Sequence, residues 1–267
     1  MHRSPGGDLA PDPTKRSRPW CGCDATVTPI GPAQRLLGVL MASLPSRKEI
    51  AIASSRTVRS LAPFAALAGF GAIFALVRAK RSEAFDLAVT LKLQGAQRPW
   101  LRRVMAMVSW PGFPPQSRII PPVIIGALAM QGRRVDASFQ AAAWGGAAMS
   151  TVLKAIMRRP RPLPPAVQVV VAPLGGSSFP SGHVLTYVVF YGFLAHLLST
   201  HDRPDVADRA AAAGLVGLIL LIGPSRVEEG HHWTTDVVAS YLVGTAALLG
   251  LIQLHDLIPV HDLQLRP

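Results

Sequence analysis

Three short stretches of this chain hold side chains that could do chemistry together. The first runs from Lys154 to Arg161-Pro162. The second is Phe179-Pro180-Ser181-Gly182-His183. The third extends from Ser225-Arg226 through His231-His232 to Asp236. Lys and Arg neutralise anionic oxygens, and the planar fork of Arg matches phosphate geometry. Histidine serves as a nucleophile or a proton carrier near neutral pH. Asp236 follows His232 by four residues, which on a helix is one turn along the same face. Each stretch alone has an ordinary reading. Cations after an apolar helix serve as stop-transfer anchors, Pro-Ser-Gly opens a helix, and a His-His pair suits a membrane interface. Their conjunction is what suits the handling of a phosphoryl group.

That conjunction depends on the elements that carry the three stretches. The chain has 267 residues, 49% apolar and only 16% charged, with a mean hydropathy of +0.32. Soluble proteins average roughly 25% charged residues, and disorder of the whole chain needs far lower hydrophobicity. The apolar residues come in blocks, which points to a bilayer. Six spans are predicted. The first is Leu61 to Val77, between Arg59 and Arg78. The second, Ile119 to Gly132, is the weakest, being short and containing Pro121 and Pro122. The third is Ala137 to Leu153, with Gly145, Gly146, Ala147 and Ala148 for close helix packing. The fourth is His183 to Thr200, the fifth Ala210 to Pro224 and the sixth Val237 to Leu254. Between the first two, Ser82 to Val108 reads as an amphipathic helix lying in the interface, a level that Trp100 and Trp110 also suit. The fold class is therefore all-α, an integral membrane six-helix bundle with one interfacial helix. In such an alternating bundle the end of span three, the start of four and the junction of five and six fall on one face. The three stretches can then share a pocket.

The remaining sequence is less informative. Residues 1–58 read as a basic N-terminal region, disordered or partly helical, with no signal peptide; Met41 is a possible start. Residues 59–258 form the membrane-embedded domain and 259–267 a short tail. Lys and Arg number 27 against 15 Asp and Glu, a net charge of +12. The charges flank membrane segments, and neither a zinc finger nor a basic region with interleaved aromatics is present, so nucleic acid is not expected as a partner. Cys21 and Cys23 read as free thiols. With both termini inside, inner segments hold 14 Lys and Arg and outer ones 13, too even to set orientation by charge.

The pattern Lys-x6-Arg-Pro, then Pro-Ser-Gly-His, then Ser-Arg-x5-His-x3-Asp resembles the signature of the type 2 phosphatidic acid phosphatase superfamily. Lys154 and Arg161-Pro162, Pro180 to His183, and Ser225-Arg226, His232 and Asp236 carry it, and the likeness extends over residues 61–258. The resemblance implies an integral membrane phosphatase that hydrolyses a lipid phosphate or diphosphate through a phosphohistidine. An isoprenyl diphosphate or a glycerolipid phosphate is the expected substrate. His232 would be the nucleophile, His183 the general acid and base, and Asp236 the group that orients His232. Lys154, Arg161, Arg226 and the backbone N–H groups of Ser181 and Gly182 would hold the phosphate. No cofactor and no metal is implied, since basic side chains carry the charge, and vanadate should inhibit. His231, Glu228 and Glu229 are expected at the pocket rim, Arg158 and Arg159 as anchors at the head groups. A lipid phosphotransferase, a sugar-phosphate lipid or lipid A phosphatase, a haloperoxidase and a non-enzymatic scaffold are the rival readings. Haloperoxidase relatives are soluble, which the apolar spans oppose, and the intact polar set opposes a scaffold. The membrane expected is a bacterial inner membrane, with the site facing outward.

Overall fold

The structure is a computed structural model. It describes residues 47–95, 98–170, 175–200 and 203–258, without the side chains of 47–59 and Ala147. The N-terminal head with Cys21, Cys23 and Met41 and the tail 259–267 lie outside the described residues. The chain divides into Met1–Ala51 and Ile52–Pro267, and the elements that position the site belong to the second unit.

The described residues are helical, without a strand among them. The helices are α1 (Arg47–Arg78), α2 (Glu83–Gly95), α3 (Pro99–Ser109), α4 (Gln116–Met130), α5 (Arg134–Trp144), α6 (Gly146–Met157), α7 (Gly182–Ser199), α8 (Val206–Glu228) and α9 (Thr234–Asp256). Four segments are long and apolar enough to cross a membrane: Ser60–Arg78 in α1, and α7, α8 and α9. They contain the predicted first, fourth, fifth and sixth spans. Leu61, Phe64, Leu67 and Leu76 of α1 point outward, as lipid-facing residues do.

The second and third predicted spans differ from that picture. α4 is apolar but has only 15 residues, with Pro121 and Pro122 in its interior and Gly132 at a φ of 80° just beyond it. Ala137 to Leu153 is not one helix. It breaks at Gly145, which ends α5 and begins α6. Two successive glycines are poor helix formers, and a Cβ on Gly145 would come within 2.9 Å of the Ala142 carbonyl. Gly146 does serve close packing, with Leu185 and Val189 of α7 against it.

The predicted interfacial helix is two helices, the second opening at Pro99. Their polarity also departs from expectation. Asp86, Thr90 and Gln94 of α2, four residues apart, are buried, whereas Phe85 and Leu91 are exposed. The inward stripe of α2 is polar because it binds buried charges and backbone groups.

α7 forms the centre. Leu185, Tyr187, Val188, Val189, Phe190 and Phe193 are all buried, and Tyr187–Tyr191 make a π-helical turn, a device frequent near functional sites. Gly244 of α9 accommodates Val188. α8 starts at a reciprocal cap in which the Asp208 N–H donates to Asp205 Oδ1 at 2.8 Å and the Asp205 N–H to Asp208 Oδ2 at 3.2 Å. It runs through Pro224 to Glu228, four residues past the predicted end.

α8 and α9 meet at Gly223, whose N–H donates to Tyr241 Oη at 3.0 Å while that hydroxyl donates to the Ile219 carbonyl at 2.6 Å. A Cβ on Gly223 would lie 2.6 Å from the Tyr241 ring and 2.7 Å from Val237 Cγ1. Gly223→Ala is therefore expected to destabilise by about 1–3 kcal/mol through overpacking. It should appear as a lower thermal midpoint in detergent; an unchanged midpoint would contradict this packing.

Candidate active site

His232 lies in the turn between α8 and α9 and is 2% exposed. Its Nδ1 is 2.7 Å from the Ser178 carbonyl. A carbonyl only accepts, so in the neutral ring Nδ1 carries the proton and Nε2 presents its lone pair. Nε2 faces Arg161 Nη1 at 3.4 Å. Burial pushes the His232 pKa down to about 4, against the opposing pull of Asp236.

Asp236 was expected to take the ring N–H. Its oxygens are already engaged: Oδ2 accepts the Trp233 N–H at 2.9 Å, capping α9, and Oδ1 pairs with Arg159 Nη1 at 2.5 Å. Asp236 Oδ2 stays 3.8 Å from His232 Nδ1. The Ser178 carbonyl, rather than Asp236, thus lies at hydrogen-bond distance from Nδ1, with Asp236 as the nearby charge.

Arg159 is not a head-group anchor. Its side chain is 9% exposed, and it bridges Asp236 to Asp86 Oδ2 at 2.6 Å and donates to Thr235 Oγ1 at 2.8 Å. Asp86 Oδ1 in turn accepts the Thr235 N–H at 2.8 Å. Arg158 ends α6 with a φ of 49° and remains at the surface, as an anchor does. That left-handed cap turns the chain so that the next side chain points inward.

The phosphate-binding set is brought together in part. Lys154 Nζ and Ser150 Oγ sit against Gly182, at 3.5 and 3.1 Å from where a Cβ would be. A Cβ there would crowd Ser150 Oγ and stand in ordinary contact with Lys154 Nζ. Gly182 opens α7, where an N–H has no intrahelical acceptor. The Ser181 N–H does not share this position, because it donates to Ser240 Oγ at 2.7 Å. Arg161 donates to the carbonyls of His231 at 2.8 Å and Gly175 at 3.2 Å.

His183 is in electrostatic range of Arg226, His232, His231 and Lys154. Its ring packs edge-on to Phe113 with centroids 4.9 Å apart, and its buried Nε2 has no partner. Gly112 faces this ring so closely that a Cβ there would overlap it. Gly112 and Phe113 sit in a loop with no charged or nucleophilic side chain, so nothing in their own sequence pattern marked them.

Arg226 is fully buried. Its guanidinium pairs with Glu229 and Ser109, approaches His231 Nδ1 at 3.2 Å and lies 5.0 Å above the Phe113 ring. Glu229 is thus not at the rim. It accepts from Ser109 Oγ at 2.9 Å and lies 3.3 Å from His231 Nδ1. Burial pushes its carboxyl up, but His231, Arg226 and Ser109 outweigh that and leave it below the ordinary value. His231 is likewise buried, and Glu228 reaches Arg102 at 3.5 Å. None of the three lies at an open rim: Arg226 holds Glu229 and His231 inside, and Glu228 is buried against Arg102.

A cavity of about 360 Å³ leads from this cluster out between α4, α6 and α7. It is lined by Lys154, Gly182 and His183 and also by Arg118, Trp144 and Tyr187. Arg161, Arg226, His232 and Asp236 lie behind that lining.

The comparisons agree with this arrangement of helices and polar cluster: residues 138–258 match the PAP2 superfamily. The chain is similar to phosphatidylglycerophosphatase B of Bacillus subtilis (strain 168), 27% identical over 184 residues, which cover 64% of this chain and 83% of that relative. It shares its fold with the crystal structure of a transmembrane PAP2 type phosphatidylglycerolphosphate phosphatase from Bacillus subtilis. That match has a TM-score of 0.64 at 24% identity and covers 74% of this chain and 98% of the other.

Arg159→Met removes one buried charge from between two carboxylates. Leaving such charges unpaired typically costs about 3–5 kcal/mol, so the thermal midpoint in detergent should fall sharply. Adding Asp86→Asn should recover part of the loss; a double variant as unstable as the sum of the two singles would mean the pair is not coupled.

Proposed function

We propose that this protein is an integral membrane phosphatase that hydrolyses a lipid phosphate through a phosphohistidine at His232. The observation that carries the reading is the tautomer of His232: Nδ1–H is held by the Ser178 carbonyl, and the free Nε2 lone pair is aimed at Arg161. Nε2 attacks phosphorus and the bond to the leaving oxygen breaks. His183 gives that oxygen its proton. A water then gives a proton to His183 as it attacks the phosphohistidine, releasing inorganic phosphate and restoring the Nε2 lone pair. The single N–H proton of the intermediate's imidazole stays on Nδ1 throughout. The positive charge the ring acquires is supported by Asp236. Lys154, Arg161 and the Gly182 N–H neutralise the equatorial oxygens, where charge concentrates in a loose transition state. Arg226 adds its field from behind Phe113, with its charge shared by Glu229.

In this reading α4 and the broken pair α5–α6 complete a six-span bundle, and α2 and α3 lie at the interface above the site. Residues 59–258 make up that domain. The site faces outward from a bacterial inner membrane, and the lipid enters laterally through the cavity lined by Trp144 and Tyr187. The names of the similar proteins make phosphatidylglycerol phosphate the first substrate to test. Isoprenyl diphosphates and phosphatidic acid belong in the same panel.

Purified protein should release inorganic phosphate from at least one of these lipids with EDTA present, and vanadate should inhibit, being five-coordinate like the transition state. Loss of turnover in EDTA with recovery in Mg²⁺ would overturn the metal-free mechanism. Transfer of the phosphoryl group to another lipid without free phosphate would make it a transferase. His232→Ala should abolish both turnover and labelled phosphoenzyme. His183→Ala should still accumulate phosphohistidine from p-nitrophenyl phosphate, whose leaving group needs no proton. Label on His183 in the unaltered protein would reverse the assignment.

The depressed pKa of His232 gives a separate test. A group whose pKa is lowered stays neutral until pH falls to that lower value. At pH 5.5 an ordinary histidine is roughly nine-tenths protonated, whereas His232 with a pKa of about 4 should remain neutral. Nitrogen NMR of ¹⁵N-histidine protein in detergent, with His232 assigned by its loss in His232→Ala, should find a neutral ring protonated on Nδ1. A charged ring at that pH, or the other tautomer, would contradict the proposed nucleophile.

A further inference from the structure

α9 carries histidine chemistry at both ends. Its 23 residues span about 33 Å, so His255 and Asp256 at its end lie about that far from His232, which precedes its start. His196 of α7 comes alongside them. His196 Nε2 is 3.5 Å from Asp256 Oδ1, His255 Nδ1 is 3.9 Å from the same oxygen, and the three donor atoms lie within 4.8 Å of one another. The protonation of His255 is fixed from behind. Its Nε2 is 2.8 Å from Asp136 Oδ1, and Asp136 Oδ2 accepts from Arg133 Nε at 2.7 Å. A carboxylate only accepts, so the proton of the neutral ring sits on Nε2. Nδ1 turns its lone pair towards His196 and Asp256, buried and without a hydrogen-bond partner.

We propose that His196, His255 and Asp256 form a binding site for a borderline divalent transition metal, for which Zn²⁺ is the probe. Two nitrogens and a carboxylate oxygen are a typical zinc donor set. Ligands about 2.0–2.2 Å from a tetrahedral zinc lie about 3.4 Å apart, so the observed separations close with small side-chain movements. A carboxylate behind a ligating imidazole, as Asp136 stands behind His255, sets the tautomer and strengthens the donor. Phe139 and Phe193, with ring centroids 5.1 and 5.4 Å from that of His255, cover its inner side. The Asp256 side chain is 39% exposed, which leaves a route for the ion and a fourth position for water. The bound metal would tie the ends of α7 and α9 together and, through Asp136, to α5. The site needs nothing from the catalytic reading and lies at the opposite end of α9 from it.

The test uses the full chain in detergent, free of any affinity tag, carrying Cys21→Ser and Cys23→Ser so that no thiol competes. After EDTA treatment and equilibration with Zn²⁺, one equivalent should survive gel filtration, and the thermal midpoint should rise. Co²⁺ in its place should give the visible bands of a tetrahedral site. Asp256→Asn alters an accessible side chain and should fold normally; like His255→Gln, it should abolish stoichiometric retention. Asp136→Asn should weaken zinc binding about 10–100-fold. His232→Ala should bind as the unaltered chain does. The proposal is overturned if no zinc is retained, in which case these residues are a hydrogen-bonded cluster only. It is overturned equally if retention follows His232 rather than His255 and Asp256.

Discussion

The buried guanidinium of Arg159 between Asp86 and Asp236 is the contact on which the rest of the site depends. Two carboxylates this close, both wholly buried, repel strongly in a low-dielectric interior, and only a cation between them makes the arrangement tolerable. Arg159 supplies it and thereby joins three separate elements: α2, the segment after α6, and the first turn of α9. The same first turn fixes His232, since Asp236 caps the helix through the Trp233 N–H. The segment that carries Arg159 also holds Ser178, whose N–H donates to the Arg159 carbonyl at 2.8 Å. The carbonyl that sets the tautomer of His232 is thus positioned by the residue that binds its aspartate.

α2 has its polar stripe inward for this reason. An amphipathic helix normally turns its apolar side into the protein, yet Asp86, Thr90 and Gln94 point to the interior. Asp86 meets Arg159. Gln94 donates to the carbonyls of Gln168 at 2.7 Å and Glu228 at 3.0 Å and accepts the Gln168 N–H at 3.0 Å. The chain leaving Arg226 and the chain leaving Pro162 are therefore fastened to one helix. Phe179 does the corresponding work for the Pro-Ser-Gly-His turn. Its ring packs on Phe70 and Phe74 of α1 at 6.0 and 5.9 Å, which ties the start of α7 to the first membrane segment.

What the sequence made legible follows from range. Lys154, Arg161, Gly182, His183, Arg226, His232 and Asp236 were readable because their types and spacings sit within three short stretches. Long apolar runs marked α1, α7, α8 and α9 for the same reason. Arg159 was misread because its neighbours, Arg158 and Arg161, are cations too, and only the left-handed cap at Arg158 decides which one turns inward. The Ser178 carbonyl could not be seen, since a backbone acceptor leaves no trace in residue type. Ser109, Gly112 and Phe113 contribute through contacts across more than 60 residues of chain. The break at Gly145 was misread in the opposite way: small residues that read as a packing surface also loosen the helix that carries them.

The charges within the site also divide differently from a simple count of cations. Three arginines and one lysine converge, but they are not equivalent. Arg159 is bound by two carboxylates, and Arg226 by Glu229. Lys154 and Arg161 form no ion pair with a carboxylate among the described residues; Arg161 is held by carbonyls, which leave its charge uncompensated. Asp86, Asp236 and Glu229 against four cations leave one net positive charge: Arg159 with its two carboxylates carries one negative charge, Arg226 with Glu229 none, and Lys154 in the cavity lining and Arg161 beside His232 carry two positive ones. The uncompensated charges of Lys154 and Arg161 make the potential around Nε2 of His232 positive, which draws an anion inward from the cavity. In the proposed reaction an anion so drawn would meet the lone pair, and the positive charge the ring would acquire lies 3.8 Å from Asp236 Oδ2, a carboxylate whose partner, Arg159, already has a second anion to balance it.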